Sequence, residues 1–337
     1  MRDSPLFLPG LPPCPDDIDP AFLPDAHEPN DDGSTSYGTM LQCGFKYREQ
    51  RDTGLQRSYS MDDPLDFGQV VHYGHQLSWR SVAALQAGGD ATWPLPVKAT
   101  LAAMYWGIIP ALSADGWARA CAAFSTSLPD YDQEHGKVIA VEQQGCLALP
   151  DGYLYKPTLD LVQQVALPSG QTALMFIDHK TSAKRWGRHP KRLFELHIQF
   201  IGMAALGKFG GWIRCLPCGG SGCYDCEGTG WQPLAALPHL VAVNFINSRE
   251  PFQSSLQVLT VNRGAVDAFA TTLADAARRR EQYTALEEQY RSDYPDATDD
   301  EVISACWPRT MMMYGPCGVP FKTGLCDLHE KCCGEMV

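Results

Sequence analysis

Two apolar segments separated by a short turn stand out in the middle of the chain. Residues 158–165 (TLDLVQQV) carry enough β-branched and apolar side chains for a strand, and residues 173–177 (ALMFI) form a continuous apolar run. Pro168, Ser169 and Gly170 lie between them and are typical turn residues. The pattern predicts a β-hairpin that brings Asp160, on its first strand, close to Asp178, which directly follows the second.

The rest of the pattern predicts alternating helices and strands. Helices are expected over most of 34–130, over 193–206 and, as a long amphipathic helix, over 266–290. Strands are expected at 138–142, 145–149, 239–246 and 256–261. This order favours an α/β (α+β) fold with a mixed central sheet flanked by helices.

The pattern also predicts how the chain is organised. Residues 1–33 are rich in Pro and Asp and are expected to form a flexible tail before a single domain at 34–337. The parts of that domain are a helical N-terminal part (34–130), a core with the hairpin (131–206), a cysteine-rich insertion (212–231), strands with a long helix (236–300) and a cysteine-rich C-terminal segment (301–337).

Composition narrows the class of protein. The 337 residues are 45% hydrophobic, which is enough for a sizeable core. No uninterrupted apolar stretch approaches the length of a membrane span, and the N-terminus lacks a charged segment followed by an apolar one. We therefore expect a cytoplasmic protein that has no membrane partner.

Charge argues against indiscriminate binding to nucleic acid but leaves room for a local basic track. The formal net charge is −12. A run without acidic residues nevertheless follows the hairpin and suits phosphate contacts: Lys180, Lys184, Arg185, Arg188, Lys191 and Arg192. The alternative is a solvated loop and helix start. Trp186 in this run could stack on a base or be buried.

The hairpin carries candidate chemistry. Asp178 and Lys180 are two residues apart on a strand and therefore share a face. Two carboxylates and a lysine at one sheet edge suit Mg²⁺-assisted phosphodiester hydrolysis. A surface ion pair at a strand end is the alternative.

The thirteen cysteines favour metal ligation in a reducing compartment over disulfides. Cys215, Cys218, Cys223 and Cys226 form two adjoining C-x-x-C-x-G-x-G units, whose thiolates can close a tetrahedral Zn²⁺ site while the glycines bend the chain around the ion. These units resemble the cysteine-rich region of DnaJ-type chaperones. A structural zinc knuckle is expected, and contact with DNA or a partner protein stays open.

Several motifs follow one another along the chain. They are a cysteine before a basic-aromatic stretch (Cys43), Gly-x-x-x-His (Gly68 to His72), a glutamate before the core hairpin (Glu142), an aspartate on the first hairpin strand (Asp160), Asp-x-Lys (Asp178 to Lys180) and a glutamine on the following helix (Gln199). In this order they resemble the PD-(D/E)XK nuclease superfamily, specifically its RecB-like and Cas4-like exonuclease branch, often carried by phages, in which Asp160 matches the first catalytic aspartate. The resemblance runs from about residue 36 to residue 326.

The resemblance implies a restriction-endonuclease-like fold and a site for one or two divalent metal ions with a lysine beside it. Asp160, Asp178 and the backbone carbonyl of His179 would coordinate Mg²⁺ or Mn²⁺. His72 would add a nitrogen ligand, which suits Mn²⁺. Lys180 would orient water or stabilise the transition state.

The remaining motif residues are also assigned by the resemblance. Gln199 would hold the lysine or the substrate backbone, and Glu142 would act with the catalytic set. Each has a simpler reading from the residues alone: His72 as a core histidine, Glu142 as an exposed strand residue and Gln199 as a helix-face amide.

The resemblance also implies a [4Fe–4S] cluster held by Cys43, Cys306, Cys317 and Cys326. The chain departs from the family here, because the interval between Cys306 and Cys317 is wide and methionines occupy the positions where a ligand is expected. Cys332 and Cys333 are alternative ligands, and zinc or no metal is an alternative to the cluster.

We therefore expect a metal-dependent DNA nuclease, and an exonuclease before an endonuclease, acting in replication, recombination or repair with a helicase or recombination partner. One alternative is a catalytically silent DNA-binding or assembly module on the same fold. A zinc-dependent chaperone-like binder is a poorer alternative, because no J-type His-Pro-Asp sequence occurs.

Overall fold

A computed structural model describes most of the central part of the chain. The described residues are 37, 40, 41, 47, 48, 64–88, 113–126, 136–182, 197–215, 224, 227–234 and 237–307. They fall into two compact units. The first unit holds those within Ser58–Ala148 and Leu154–Phe269, and the second holds those within Asn30–Arg57, Leu149–Tyr153 and Ala270–Val337.

Helices and strands alternate as the sequence pattern predicts. The helices with described bounds are α1 (Pro64–Gln86), α2 (Ala114–Thr126), α3 (Ile198–Phe209), α4 (Arg263–Asp293) and α5 (Asp299–Cys306). The strands are β1 (Lys137–Ala148), β2 (Leu154–Tyr155), β3 (Thr158–Ala166), β4 (Thr172–Ser182), β5 (Trp212–Arg214), β6 (Trp231–Pro233), β7 (His239–Asn247) and β8 (Ser254–Leu259). Among these helices, none combines the length and apolarity that crossing a bilayer requires.

The eight described strands form one mixed sheet in the first unit. Their order is β6-β5-β1-β3-β4-β7-β8, with β2 paired to β1. β4 and β7 run parallel, and the other neighbours are antiparallel. The prediction of a mixed central sheet flanked by helices is confirmed.

The predicted hairpin is β3 and β4. The backbone N–H of Leu167 donates to the carbonyl of Gln171 at 2.7 Å, which closes the turn. Gly170 has φ 80°, a conformation that glycine adopts without the steric cost other residues meet. The turn thus sets the register of the two strands that carry Asp160 and Asp178.

Helices α1 and α3 cover opposite faces of the sheet. Val82 of α1 packs in one apolar cluster with residues of four strands, among them Ile177 of β4. The next residue, Asp178, accepts a hydrogen bond from Gln199 of α3. Because successive strand residues point to opposite faces, the two helices lie on opposite sides of β4.

Close packing holds α3 against the sheet. Its buried residues include Phe200, Met203 and Leu206. Gly202 faces Tyr155, and a Cβ at this position would collide with the tyrosine hydroxyl. A glycine here lets the helix approach closely enough to place its first turn beside β4.

Some elements differ from the sequence-based expectation. β1 is one strand where two segments were expected, and α3 begins at Ile198, with the expected start at 193–196 lying outside the described residues. The predicted long helix is confirmed as α4, where the Asn262 side chain accepts from the N–H of Ala265. The short elements β5, β6 and α5 were not predicted. The expected tail, residues 1–33, lies outside the description.

In the second unit, Glu287 of α4 joins residues that are distant in sequence. Its carboxylate accepts hydrogen bonds from Arg48 (2.6 and 2.7 Å), from Trp307 Nε1 (2.8 Å) and from Arg291 (3.0 Å). The hydrogen bonds from Arg48, and then those from Trp307 and Arg291, lower the pKa of Glu287 to about 2. The carboxylate is therefore stabilised in its charged form.

Glu287→Gln should destabilise the protein by about 2 kcal/mol at neutral pH, because a buried acceptor of charged hydrogen bonds is lost. The lowered pKa of Glu287 stabilises the fold at pH values above 4.5, the ordinary pKa of a glutamate. This stabilisation disappears as the pH falls towards about 2. Urea unfolding should therefore show the gap between variant and wild type closing over that range. The exposed neighbour provides a control, since Glu288→Gln should change stability by less than about 0.5 kcal/mol. A gap that does not depend on pH would contradict this assignment.

Candidate active site

Glu142 on β1 and Asp160 on β3 occupy the same rung of the sheet. Pairs on both sides of this rung are in register. They are Val141 with Leu161 and Gln143 with Leu159. The two carboxylates therefore meet across neighbouring antiparallel strands.

The same rung continues to Asp178 on β4. The ladder between β3 and β4 ends with Leu161 opposite Ile177, so the next positions are Asp160 and Asp178. In place of a further ladder bond, the carboxylate of Asp160 accepts the backbone N–H of His179 at 2.8 Å. Three carboxylates thus line up across three adjacent strands.

The backbone at Glu142 is strained. Its φ is +48°, a region that residues with a side chain rarely adopt and that has no place in a regular strand. Such a conformation costs on the order of 1–3 kcal/mol and is found mostly at functional positions. The strain points to a role for Glu142 beyond pairing the strand.

His72 adds a nitrogen to the two carboxylates. It comes from α1, and its Nδ1 lies 3.4 Å from Asp160 Oδ2. One ligand atom each from His72, Glu142 and Asp160 lies within 4.8 Å of the others. Two carboxylate oxygens and an imidazole nitrogen suit a divalent cation, and the nitrogen favours Mn²⁺ over Mg²⁺.

Asp178 lies beside this group of three and has close partners of its own. It is fully buried. The amide of Gln199 donates to its Oδ1 at 2.5 Å, and Lys180 Nζ lies 2.8 Å from its Oδ2. Gln199 is placed at the first turn of α3, where its own N–H donates to His197 Nδ1 at 3.3 Å. The glutamine therefore contacts the aspartate, where the resemblance implied a contact with the lysine or the substrate.

The carboxylates shift one another's pKa values because they lie together in a poorly hydrated environment. Burial, then the charges of Asp160 and Asp178, raise the pKa of Glu142 well above its ordinary value. Burial and then Asp160 raise the pKa of Asp178 to about 6, against the opposing effect of Lys180. Burial alone would lower the pKa of Lys180, but Asp178, Asp160 and Glu142 together raise it. The lysine therefore stays protonated, whereas Glu142 and Asp178 take up protons more readily than isolated carboxyl groups and would release them when a cation binds.

A pair of neutral imidazoles backs the site on the α1 side. The His179 ring stacks on His75 at 4.2 Å between centroids with 13° between planes, and its Nδ1 lies 3.0 Å from Asn244 Nδ2. Burial lowers the pKa of His75 to about 3 and that of His179 well below its usual range. These rings add no positive charge. Sequence reasoning missed His75, although its three-residue spacing from His72 puts both on one helix face.

The cysteine-rich loop is described mainly at its ends. Cys215 is buried, and its N–H donates to the carbonyl of Gly230 at 2.9 Å, directly beyond the β5–β6 ladder. Gly228 and Gly230 both have positive φ, as expected of a tight knuckle. The two short strands thus hold the ends of the loop together.

Other expected site residues lie outside the described part of the chain. They are the zinc candidates Cys218, Cys223 and Cys226, the cluster candidates Cys43, Cys317 and Cys326, and Lys184, Arg185, Trp186, Arg188, Lys191 and Arg192 of the basic run. Cys306, the described member of the second cysteine group, is buried at the end of α5, and burial raises the pKa of its thiol.

No protein-family model matches the chain. No curated protein matches it either.

Mn²⁺ alone should raise the thermal stability of the protein, by about 2.7 kcal/mol at a hundredfold excess over the dissociation constant. Glu142→Gln should abolish most of this gain, because it removes one of the three grouped ligands. Without metal, the variant should be at least as stable as wild type, because one of the mutually repelling carboxylates is gone. Melting curves with and without Mn²⁺ test this, with Glu288→Gln as a control that keeps the full gain. An undiminished gain in Glu142→Gln would exclude Glu142 as a ligand.

Proposed function

We propose that the protein is a metal-dependent nuclease of the PD-(D/E)XK superfamily, of the RecB-like and Cas4-like exonuclease branch, and that it hydrolyses phosphodiester bonds in DNA. One observation carries the proposal. Glu142, Asp160 and Asp178 share a rung of the sheet, with His72 beside the first two carboxylates and Lys180 beside the third. This set supplies what metal-assisted phosphodiester hydrolysis requires: hard oxygen ligands and a positioned cation.

The architecture of the sheet also supports the proposal. The motif residues occur on an antiparallel β1-β3-β4 set that is followed by the parallel strand β7, with helices on both faces. We infer a restriction-endonuclease-like arrangement, in which the Asp-x-Lys strand lies in the middle of the sheet and the glutamine helix packs beside it.

A divalent cation fits the residues present. Three carboxylates close together repel one another, and that repulsion contributes to the raised pKa of Glu142 and of Asp178. We infer that His72, Glu142 and Asp160 hold the ion, with Asp178 adjacent. When bound, such an ion supplies Lewis-acid chemistry: it lowers the pKa of water and offsets charge on the phosphate.

The chain's own groups would do the remaining work. Asp178 holds Lys180 by an ion pair, and Gln199 holds Asp178 in turn. The side chain of Lys180 is one-third exposed, so its ammonium can reach a phosphate oxygen or the attacking water at the open side of the site. A positioned charge of this kind typically contributes about 10²- to 10³-fold to the rate.

The cysteine groups are proposed to hold metals with structural roles. We infer that Cys215, Cys218, Cys223 and Cys226 bind one Zn²⁺, because each C-x-x-C unit presents two thiolates and the β5–β6 ladder closes the loop. For Cys43, Cys306, Cys317 and Cys326 we propose a [4Fe–4S] cluster, with zinc as the alternative.

Purified protein with Mn²⁺ or Mg²⁺ should degrade linear DNA, and Lys180→Ala should slow cleavage about 10²- to 10³-fold. The fold should persist, because the Lys180 side chain is partly exposed and lies outside the apolar cluster around Val82 and Ile177. Lys137→Ala provides a matched control at the far end of β1 and should cleave at the wild-type rate.

End-labelled linear DNA and closed circular DNA distinguish the modes of cutting. An exonuclease should degrade the linear substrate and leave the circle intact. Unchanged cleavage by Lys180→Ala would overturn the site assignment. Tight DNA binding by the wild-type protein without any cleavage would instead indicate a catalytically silent DNA-binding module on the same fold.

Metal analysis of anaerobically purified protein tests the cysteine groups. We expect one zinc per chain, lost in a Cys218→Ser, Cys223→Ser double variant, together with iron and a broad absorbance near roughly 400 nm typical of thiolate-bound clusters. A colourless protein with two zincs would refute the iron–sulfur proposal. A protein whose zinc content is unchanged in the double variant would refute the zinc knuckle.

A further inference from the structure

The β5–β6 hairpin carries a surface that the proposed chemistry does not use. Its strands extend the sheet beyond β1, where Gly145 pairs with Ile213 and Cys146 pairs with Trp212. The pairing begins three residues past Glu142, which is about 10 Å along the strand. The hairpin therefore continues the sheet next to the row of carboxylates.

One face of this hairpin combines aromatic rings with a positive charge. Trp212 and Arg214 are two residues apart and point the same way, whereas Ile213 between them is buried. The residues directly opposite, Pro233 and Trp231, project on that same face. Trp212 is 47% exposed, and Arg214 is also exposed.

The positive charge on this face belongs to Arg214. Within the residues that the structure describes, the guanidinium of Arg214 makes no ion pair or hydrogen bond. Tyr224, in the loop that joins the two strands, is 96% exposed. The short hairpin thus presents one exposed tryptophan, one half-buried tryptophan and an arginine that can pair with an anion.

We propose that this face binds single-stranded DNA, with bases stacked on Trp212 and Trp231 and a phosphate paired with Arg214. The inference rests on the proposed function and deepens it by naming the form of the substrate. Unpaired bases expose flat π-faces that stack on aromatic rings, whereas in a duplex these faces are covered by neighbouring base pairs. Because the face adjoins the strand that carries Glu142, a strand bound here has a short path to the site.

The protein's net charge of −12 means that DNA binding depends on local contacts of this kind. A chain this acidic does not attract DNA over its whole surface, so affinity must come from particular basic and aromatic groups. The stacking contribution does not depend on sequence or on metal, which separates it from the chemistry at the carboxylates.

The test is equilibrium binding by the full chain carrying Asp178→Asn, without added Mg²⁺ or Mn²⁺, so that the DNA stays intact. The probes are fluorescein-labelled oligo-dT and a duplex of equal length. Trp212→Ala in this background should weaken oligo-dT binding about tenfold and leave duplex binding within about twofold, while Trp212→Phe should retain most of the affinity. Tyr294→Ala provides a control at another exposed aromatic and should change neither.

Salt dependence tests the arginine separately. Arg214→Ala should reduce the slope of log affinity against log salt by about 0.7, as expected for one lost phosphate contact on a single strand, and Arg214→Lys should restore it. Far-ultraviolet circular dichroism and zinc content of the Trp212, Arg214 and Tyr294 variants should match those of the Asp178→Asn parent, because these three side chains are exposed.

Each outcome decides the question. Loss of oligo-dT binding confined to the Trp212 and Arg214 variants supports the surface, even if the wild-type protein proves unable to cleave DNA, in which case only the nuclease proposal fails. Absence of oligo-dT binding by the parent protein, equal losses on oligo-dT and duplex, or wild-type affinity in Trp212→Ala would overturn it.

Discussion

The register of three neighbouring strands is the constraint on which the site depends. It places Glu142, Asp160 and Asp178 on one rung of the sheet, where burial makes their mutual repulsion costly. The fold offsets part of that cost with Lys180, with the amide of Gln199 and with the backbone N–H of His179. A slip of one residue in either ladder would turn one of these carboxylates to the other face and disperse the group.

The strands depart from regular geometry at two of these carboxylates. Glu142 holds a left-handed backbone conformation inside a strand, and Asp160 takes a backbone hydrogen bond where the ladder stops. Both features weaken regular pairing at one place while the apolar cluster around Val82 and Ile177 stabilises the sheet nearby. A stable scaffold therefore carries a local departure from ideal geometry, which is a common property of sites that bind or react.

Much of this arrangement could be predicted from the sequence, because short-range patterns specify it. Alternation and turn residues gave the β3–β4 hairpin, apolar runs gave β7, and helical spacing gave α4. The aspartates were recognisable because each directly adjoins apolar strand residues. Even α5, which was missed, had a readable signal, since Thr298 and Glu301 form a capping box at its start.

What the sequence could not supply depends on contacts between distant segments. Nothing local indicates that Asn244 would contact His179, that His75 would stack on it, or that Arg48 and Trp307 would both bind Glu287. The strands β5 and β6 are too short for periodicity to reveal and exist because they pair with β1 and with each other. The positive φ of Glu142 likewise has no signature in a sequence where glycine is absent from that position.

Anomalous scattering from crystals grown with Mn²⁺ would test the central claim most directly, because it locates the ion independently of any assay. The account predicts an anomalous peak within coordinating distance of His72, Glu142 and Asp160, with Asp178 alongside. A fully ordered site without a peak, or a peak only at the cysteines, would contradict it.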